Sequence, residues 1–369
     1  MKTIALFGSG KIGACITAMI SRSGRYRLKV CDGNLAQAKQ LCAGRPNTEA
    51  FQLNLADSKA TKEILKDCEA VMSALPYQCN RDVASCAFET NTHYFDLTED
   101  VANAQFTAEL AKQSEVCFMP QCGIAPGFIS IAAQHLIKSF KKTISLKLRV
   151  GALPLFPTNR LKYCLTWSVD GLLNEYAKPC DAIVGGKRVK APPLAGTERF
   201  SLDGNEYEAF NTSGGLGTLC TTLEGQVEEL NYKTIRYPGH RDLVSFVMHD
   251  LGFDHDIDSL KAAFLRTVPT TVQDKCIILV EAIGHTDDGQ LRQATYARTA
   301  PNGYIDNIHF SAIQLTTASG ICTPLDLLLN GYFGTRKGFV RAEEIALPDY
   351  LNNEFGSYMK DEKALAGIL

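Results

Sequence analysis

The fold class predicted by the sequence is α/β: a doubly wound parallel sheet of the Rossmann type, with an inserted α+β domain. Three observations predict it. Short apolar runs alternate with amphipathic ones through the first third of the chain, as strand and crossover helix do in a parallel sheet. A glycine-rich turn joins the first strand to the first helix. After Pro126-Gly127 the rhythm changes to long runs punctuated by glycine and proline.

The first third predicts six strands, over residues 2–7, 27–31, 50–53, 70–74, 93–97 and 116–120. Helices fall between them near 11–21, 35–41, 59–66, 80–89 and 101–113. Five right-handed crossovers then make a doubly wound sheet whose ligand crevice lies beyond the carboxyl ends of its strands. A helix over 128–139 leads into a loop-rich, antiparallel second domain, with strands expected at 143–150, 276–283, 295–299 and 305–310. The apolar helix from Ala312 to about Leu329 has the character of a first-domain packing helix. The predicted division is residues 1–127 plus about 311–369 for a dinucleotide-binding domain, and 128–310 for a substrate domain.

Composition narrows the class. The 369 residues carry 38 basic and 40 acidic side chains, a formal charge of −2, with no run of like charges long enough for a basic stripe. Nucleic-acid or anionic-membrane binding is therefore not expected. No segment approaches the ~18 uninterrupted apolar residues of a membrane span, and the apolar run of residues 3–7 ends in glycines rather than extending as a signal peptide does. The 13 cysteines, odd in number and without a CxxC pair, suggest reduced thiols, a cytoplasmic setting and no metal site.

The strongest local signal is Gly8-Ser9-Gly10-Lys11-Ile12-Gly13, after the first strand and opening the first helix. Gly8 permits the tight turn, Gly10 lets backbone approach a pyrophosphate, and Gly13 packs helix on strand; the phosphates then meet free N–H groups at the positive helix end. The second strand delivers Asp32, placed to accept hydrogen bonds from an adenosine ribose. Its carboxylate repels a 2′-phosphate and no arginine follows within residues 33–37, so NAD is favoured over NADP. A structural glycine turn without nucleotide is the alternative.

The fourth strand ends in Leu75-Pro76-Tyr77, the fifth at Asp96, and the sixth runs into Gln121-Cys122-Gly123-Ile124-Ala125-Pro126-Gly127. All three ends should lie on the nicotinamide side of the crevice. Gly123 and its neighbours offer N–H groups to a ligand, or else form only a rigid turn. Asp96 suits a substrate ammonium or a helix cap, and Cys122 fits a buried small hydrophobe better than a nucleophile.

Two dense polar segments mark the second domain: Asn211-Thr212-Ser213-Gly214-Gly215, and Tyr232-Lys233-Thr234-Ile235-Arg236-Tyr237-Pro238-Gly239-His240. On a strand, alternation puts Lys233, Ile235 and Tyr237 on one face and Tyr232, Thr234 and Arg236 on the other. The planar fork of Arg236 suits a carboxylate, with Asn211 and Thr212 as further polar contacts. The plain alternative for Arg236 or Lys233 is a solvated surface charge.

These residues carry a resemblance. The chain is similar to the saccharopine dehydrogenase and lysine 6-dehydrogenase family over nearly its whole length. The likeness runs through the glycine motif, Leu75-Pro76-Tyr77, Gly123-Ile124-Ala125-Pro126-Gly127, residues 163–173, both polar segments and the closing Lys337-Gly338-Phe339-Val340 and Glu343-Glu344-Ile345. Ala-Phe-x-Thr-Ser-Gly-Gly and Tyr-Lys-Thr-Ile-Arg-Tyr-x-Gly-His resemble lysine 6-dehydrogenases more than glutamate-forming saccharopine reductases. The reductases' Cys-Gly-x-Asp-Pro-Gly turn is matched at Cys122, but Ala125 replaces its aspartate.

The resemblance implies a dinucleotide domain, an inserted substrate and dimerisation domain, a homodimer, and oxidation of a C–N bond in a lysine-like amino acid. His240, Asp96, Tyr77 and Lys233 are the candidate catalytic groups. The first reading is oxidative deamination of the lysine side-chain amine. A saccharopine-type enzyme would need a second carboxylate-binding cation such as Lys233, and a non-catalytic NAD sensor would need no amino-acid pocket.

Overall fold

The computed structural model describes residues 1–360. Residues 361–369, which the sequence places with the first domain, lie outside the described residues. The chain forms two compact units: Met1–Phe128 with Tyr304–Phe310 and Gln314–Lys360, and Ile129–Gly303 with Ser311–Ile313.

In the first unit β1 (Lys2–Phe7), α1 (Lys11–Ser23), β2 (Tyr26–Asp32), α2 (Leu35–Cys42), β3 (Thr48–Gln52) and α3 (Ser58–Leu65) alternate. They are followed by β4 (Ala70–Ser73), α4 (Asn80–Thr90), β5 (His93–Asp96), α5 (Val101–Ala111) and β6 (Cys117–Met119). The strands lie in the order β6-β5-β4-β1-β2-β3, all parallel. Reversal of strand order between β1 and β4 makes the topological switch point, where such sheets take ligands. Ile4, Ala5, Leu6 and Phe7 are all fully buried, the continuous apolar run expected of a strand covered on both faces. Helix starts follow from local chemistry: Asn34, Asp57 and Asp100 accept hydrogen bonds from the amides of Gln37, Ala60 and Asn103. α1 stops at Gly24 and α4 at Asn91, both left-handed.

The second unit begins within α6 (Phe128–Ile137) and contains β7 (Lys142–Pro154), α7 (Val169–Ala177), β8 (Cys180–Val184), β9 (Lys187–Ala191), β10 (Glu198–Leu202) and β11 (Asn205–Asn211). It continues with α8 (Leu219–Leu223), β12 (Val227–Arg236), α9 (His240–Ser245), α10 (Ile257–Thr267), β13 (Asp274–His285) and β14 (Leu291–Pro301). The eight strands form one sheet along β10-β11-β12-β7-β13-β14, with β8 and β9 joined at β12. The sheet is mixed rather than antiparallel throughout, because β12 runs parallel to β7 after the long α7–β11 excursion. Gly151 on β7 permits the close approach, since a Cβ there would lie 2.6 Å from Ile235. The stretch that reads as loops holds two tight hairpins, turning at Gly185-Gly186 and Asp203-Gly204, all four residues at positive φ.

The sequence's single strand over 305–310 is a small hairpin, β15 (Gly303–Ile305) and β16 (Ile308–Phe310). Asp306 and Asn307, both left-handed, break it. Then come α11 (Ala312–Leu329), β17 (Gly338–Phe339) and α12 (Leu347–Asn352). β17 adds a seventh parallel strand beside β6, too short for any periodicity to reveal. α11 is long and apolar enough to cross a membrane by length and composition alone, but most of it is buried in the fold. Buried Asp326 ties it to β2, accepting from Arg25, from the Tyr26 hydroxyl at 2.6 Å and from Asn330 and Asn353.

Candidate functional site

The glycine loop of the first unit divides into residues that the fold needs and one that it does not. Gly8 has φ of 105°, and a Cβ there would sit 2.7 Å from the Ala74 carbonyl oxygen. At Gly13 a Cβ would sit 2.0 Å from the Gly8 carbonyl oxygen. A Cβ on Gly10 meets nothing within 4 Å. Gly10 is also the N-cap of α1, with no side-chain cap and no acid in the first turn, so the amides around Lys11 and Ile12 face outward uncompensated. The buried Ser9 hydroxyl lies close to Asp32 but makes no hydrogen bond of good geometry. An open Gly10, an uncapped helix start and an unsatisfied hydroxyl together fit the pyrophosphate of a dinucleotide.

Asp32 ends β2 beside this loop, accepting from the amides of Ser9 and Asn34, each at 2.7 Å. Burial alone would raise its pKa, but these amides outweigh it and hold the carboxyl below its ordinary value. Pro76 is exposed after β4, and half-buried Tyr77 opens a single turn, Tyr77–Cys79.

Two expectations at the strand ends are corrected. Asp96 is fully buried: it accepts from the Tyr94 hydroxyl at 2.7 Å and from the amides of Gln121 and Thr98 at 2.9 and 3.0 Å. It neither caps a helix nor meets solvent, but clamps left-handed Gln121 to β5, and burial raises its pKa. The N–H of Gly123 is not offered to a ligand, because it donates to Pro126, while the Gly123 carbonyl accepts from Phe128. This turn, with a cis Ala125–Pro126 bond, is pressed from behind by Gly320 of α11, where a Cβ would lie 2.6 Å from the Cys122 carbonyl. The Cys122 thiol donates to the Met119 carbonyl at 3.1 Å and is buried, which pushes its pKa well up.

In the second unit Tyr232, Thr234 and Arg236 on β12 are buried and Lys233 and Tyr237 are partly exposed, but Ile235 between them is fully buried, so both faces of the strand are covered there. Register places Lys233 beside Arg149 of β7 and Arg236 beside Glu208 of β11. Lys233 bonds Glu198 at 2.6 Å, and Arg149 grips the same carboxylate with two nitrogens. Burial lowers the Lys233 pKa despite this partner, with the Arg149 charge acting in the same direction. Asn211 donates to the Pro192 carbonyl at 3.2 Å, which ties the β9–β10 connection to the end of β11, and the Thr212 hydroxyl is buried without a partner.

Arg236 is 3% exposed. Its Nε donates to the Tyr176 hydroxyl at 3.1 Å, and Nη1 donates to Thr234 Oγ1 at 2.7 Å and the Ile235 carbonyl at 2.8 Å. The guanidinium lies over the rings of Tyr163 and Tyr176 at 5.0 and 5.9 Å. Burial alone would lower its pKa, but Tyr176, Tyr163 and Glu175 outweigh that and raise it, so the group stays charged. Among the described residues no carboxylate lies within ion-pair distance of it, and Nη2 makes no hydrogen bond. Sequence reasoning missed Tyr176, Arg149 and Glu198; the helical spacing of Val169, Leu172, Leu173 and Tyr176 on α7 was the available signal for a buried Tyr176.

His240 is a third correction. It is buried, with Nδ1 against the Leu161 carbonyl at 2.8 Å and Nε2 against the Tyr176 hydroxyl at 3.0 Å, which leaves no nitrogen to take a substrate proton. Burial, aided by the Arg236 charge, lowers its pKa to about 3. Because the unfolded chain takes up this proton below about pH 6.5 and the folded chain does not, stability is full above that value and is lost as pH falls toward 3. Urea midpoints measured between pH 7 and 4 should fall less steeply for His240→Asn than for the wild type; equal slopes would contradict this.

Comparison with known proteins accords with this geometry. Residues 4–117 match the model of the saccharopine dehydrogenase NADP binding domain, and residues 123–358 that of the saccharopine dehydrogenase C-terminal domain. The chain is 25% identical over 266 residues to the NADP(+), L-glutamate-forming saccharopine dehydrogenase of Schizosaccharomyces pombe, covering 69% of this chain and 58% of that protein. Its Saccharomyces cerevisiae counterpart is 25% identical over 47% of this chain and 40% of its own length. The matches thus span less than two thirds of these relatives. The solved apo saccharopine dehydrogenase (L-Glu forming) of Saccharomyces cerevisiae shares the fold with a TM-score of 0.78, at 18% identity, over 100% of this chain and 98% of that one. With the two family models covering the first unit's nucleotide-type sheet and the stretch that holds Arg236, the chain belongs to the saccharopine dehydrogenase family.

Proposed function

We propose that the protein is a pyridine-nucleotide-dependent oxidoreductase acting on a C–N bond of an amino acid, and that its substrate is a lysine-like diamino acid whose side-chain amine is oxidatively deaminated. Arg236 is the observation that carries this reading. A buried guanidinium without a carboxylate partner is costly, and an incoming amino-acid carboxylate offsets that cost through a charge-assisted, forked pair. The names of the curated relatives favour a saccharopine substrate as the second reading. Against it, Lys233, the cation that a further carboxylate would need, is already committed to Glu198.

A pyridine nucleotide, when bound, supplies a hydride acceptor at its nicotinamide ring. The chain's own part is to hold that nucleotide at Ser9, Gly10 and Asp32, to orient the amino acid at Arg236, and to let the amine shed a proton. A lysine ammonium with a pKa near ~10.4 is deprotonated in roughly one molecule in a thousand or fewer at neutral pH.

The relatives' names specify NADP(+); we read NAD as the cofactor here, because a carboxylate at Asp32, held ionised by the amides of Ser9 and Asn34, would repel a 2′-phosphate. Absorbance at the NADH wavelength, with lysine, saccharopine and related diamino acids and each nucleotide in turn, tests the whole. Turnover of lysine with NAD is the expected result; turnover of saccharopine alone selects the second reading, and none with any of them refutes both. Asp32→Ala should reduce discrimination against NADP by at least about fivefold, since a like-charge clash costs of order ~1 kcal/mol or more. An unchanged ratio of kcat/KM values would place the ribose contact elsewhere.

A further inference from the structure

Why so many hydroxyl and imidazole groups are buried around one guanidinium is a question that hydrogen-bond direction answers. The Leu161 carbonyl can only accept, so at 2.8 Å His240 Nδ1 must carry the hydrogen. In the neutral ring Nε2 is then an acceptor, and the Tyr176 hydroxyl, 3.0 Å away, must donate to it. The Tyr176 oxygen in turn receives Arg236 Nε–H at 3.1 Å. Every hydrogen in the series has one possible direction, from Arg236 through Tyr176 and His240 to Leu161.

The members come from separate elements: Arg236 ends β12, Tyr176 lies on α7, His240 begins α9, and Leu161 lies between β7 and α7. Their rings are fixed by packing. Tyr163 meets His240 edge-on at 5.3 Å, and Phe210 stacks on it at 6.3 Å with planes 12° apart. With Nε held by this series and Nη1 held by Thr234 and Ile235, Nη2 is left as the unbonded edge. We infer that Tyr176 and His240 are positioning residues, a one-way hydrogen-bond relay that fixes the Arg236 guanidinium in the orientation required to grip the carboxylate of an amino acid.

This rests on the reading of Arg236 as the carboxylate-binding group, and the experiment separates the two. In the full-length protein Tyr176→Phe should raise KM for the amino acid about 10- to 100-fold, leaving kcat and the nucleotide Kd within about twofold. Tyr207→Phe is the matched control. It removes another buried tyrosine hydroxyl of the same unit, one that accepts from Lys275 at 2.7 Å, and should leave KM unchanged. In nitrogen-15 spectra a sharp Arg236 Nε–H signal, assigned by its loss in Arg236→Lys, should broaden in Tyr176→Phe and persist in Tyr207→Phe.

If Tyr176→Phe does not fold, His240→Asn serves. It keeps a donor for Leu161 but removes the acceptor for Tyr176, and should move KM and the Nε–H signal in the same direction by less. KM within twofold of wild type in the relay variant, while Arg236→Ala raises it, overturns the relay alone. KM unmoved by Arg236→Ala overturns the carboxylate reading and the relay together.

Discussion

Gly13→Ala is expected to destabilise the first unit severely, whereas Gly10→Val leaves stability intact and abolishes nucleotide binding. The contrast follows from what each new Cβ would meet. At Gly13 it would lie 2.0 Å from the Gly8 carbonyl oxygen, a backbone atom held in the turn. Relief requires α1 to withdraw from β1, so the cost belongs at or above the upper end of overpacking, about 3 kcal/mol or more. At Gly10 the Cβ enters open space, and the backbone, with φ of −69° and ψ of −163°, is one that valine adopts readily. The melting temperature should then stay within about 2 °C, because an exposed substitution seldom exceeds ~0.5 kcal/mol. The branched side chain nevertheless fills the space that a pyrophosphate needs against α1, and the nucleotide Kd should rise at least about 100-fold by titration calorimetry. If Gly10→Val binds nucleotide as wild type does, the dinucleotide assignment is lost.

Arg236→Ala is the second large effect. Removing the guanidinium deletes the carboxylate's partner and leaves the Tyr176 hydroxyl oxygen without its donor in a buried setting. Breaking a buried, hydrogen-bonded charge interaction costs about 3–5 kcal/mol. Part of this falls on stability, so KM for the amino acid is expected to rise at least about 100-fold while nucleotide affinity is retained. Arg236→Lys should not rescue it, because a point charge cannot reproduce two fixed nitrogens and a flat face over Tyr163 and Tyr176. Steady-state kinetics with the two concentrations varied independently decide the matter, and a KM shift below about threefold would remove Arg236 from the site.

The first unit was legible because its signals are local. The apolar run at residues 2–7, the glycine turn and the acid ending β2 each act within a few residues, so their chemistry survives reading in one dimension. β17 was not legible: two residues carry no period, and only β6 beside them makes a strand. The parallel pairing of β12 with β7 joins segments far apart in sequence, a choice that no local pattern encodes. In the first unit, Asn80 and Ser73 illustrate the same limit. Their side chains meet at 2.7 Å behind β4, and nothing in the sequence marks them as a pair.

By itself, then, the sequence determined the class of fold, the nucleotide loop and the presence of a cation suited to a carboxylate, since glycine geometry, strand alternation and side-chain chemistry are properties of residues and their near neighbours. Tertiary structure alone decided which polar groups are available. His240 and Asp96 have the chemistry of bases and Gly123 has a donor, yet each is consumed by partners that the fold brings to it. Arg236, by contrast, is nearly buried and keeps an unbonded edge. Availability depends on what remains after the protein satisfies its own buried groups, and that remainder exists only once every partner is in place.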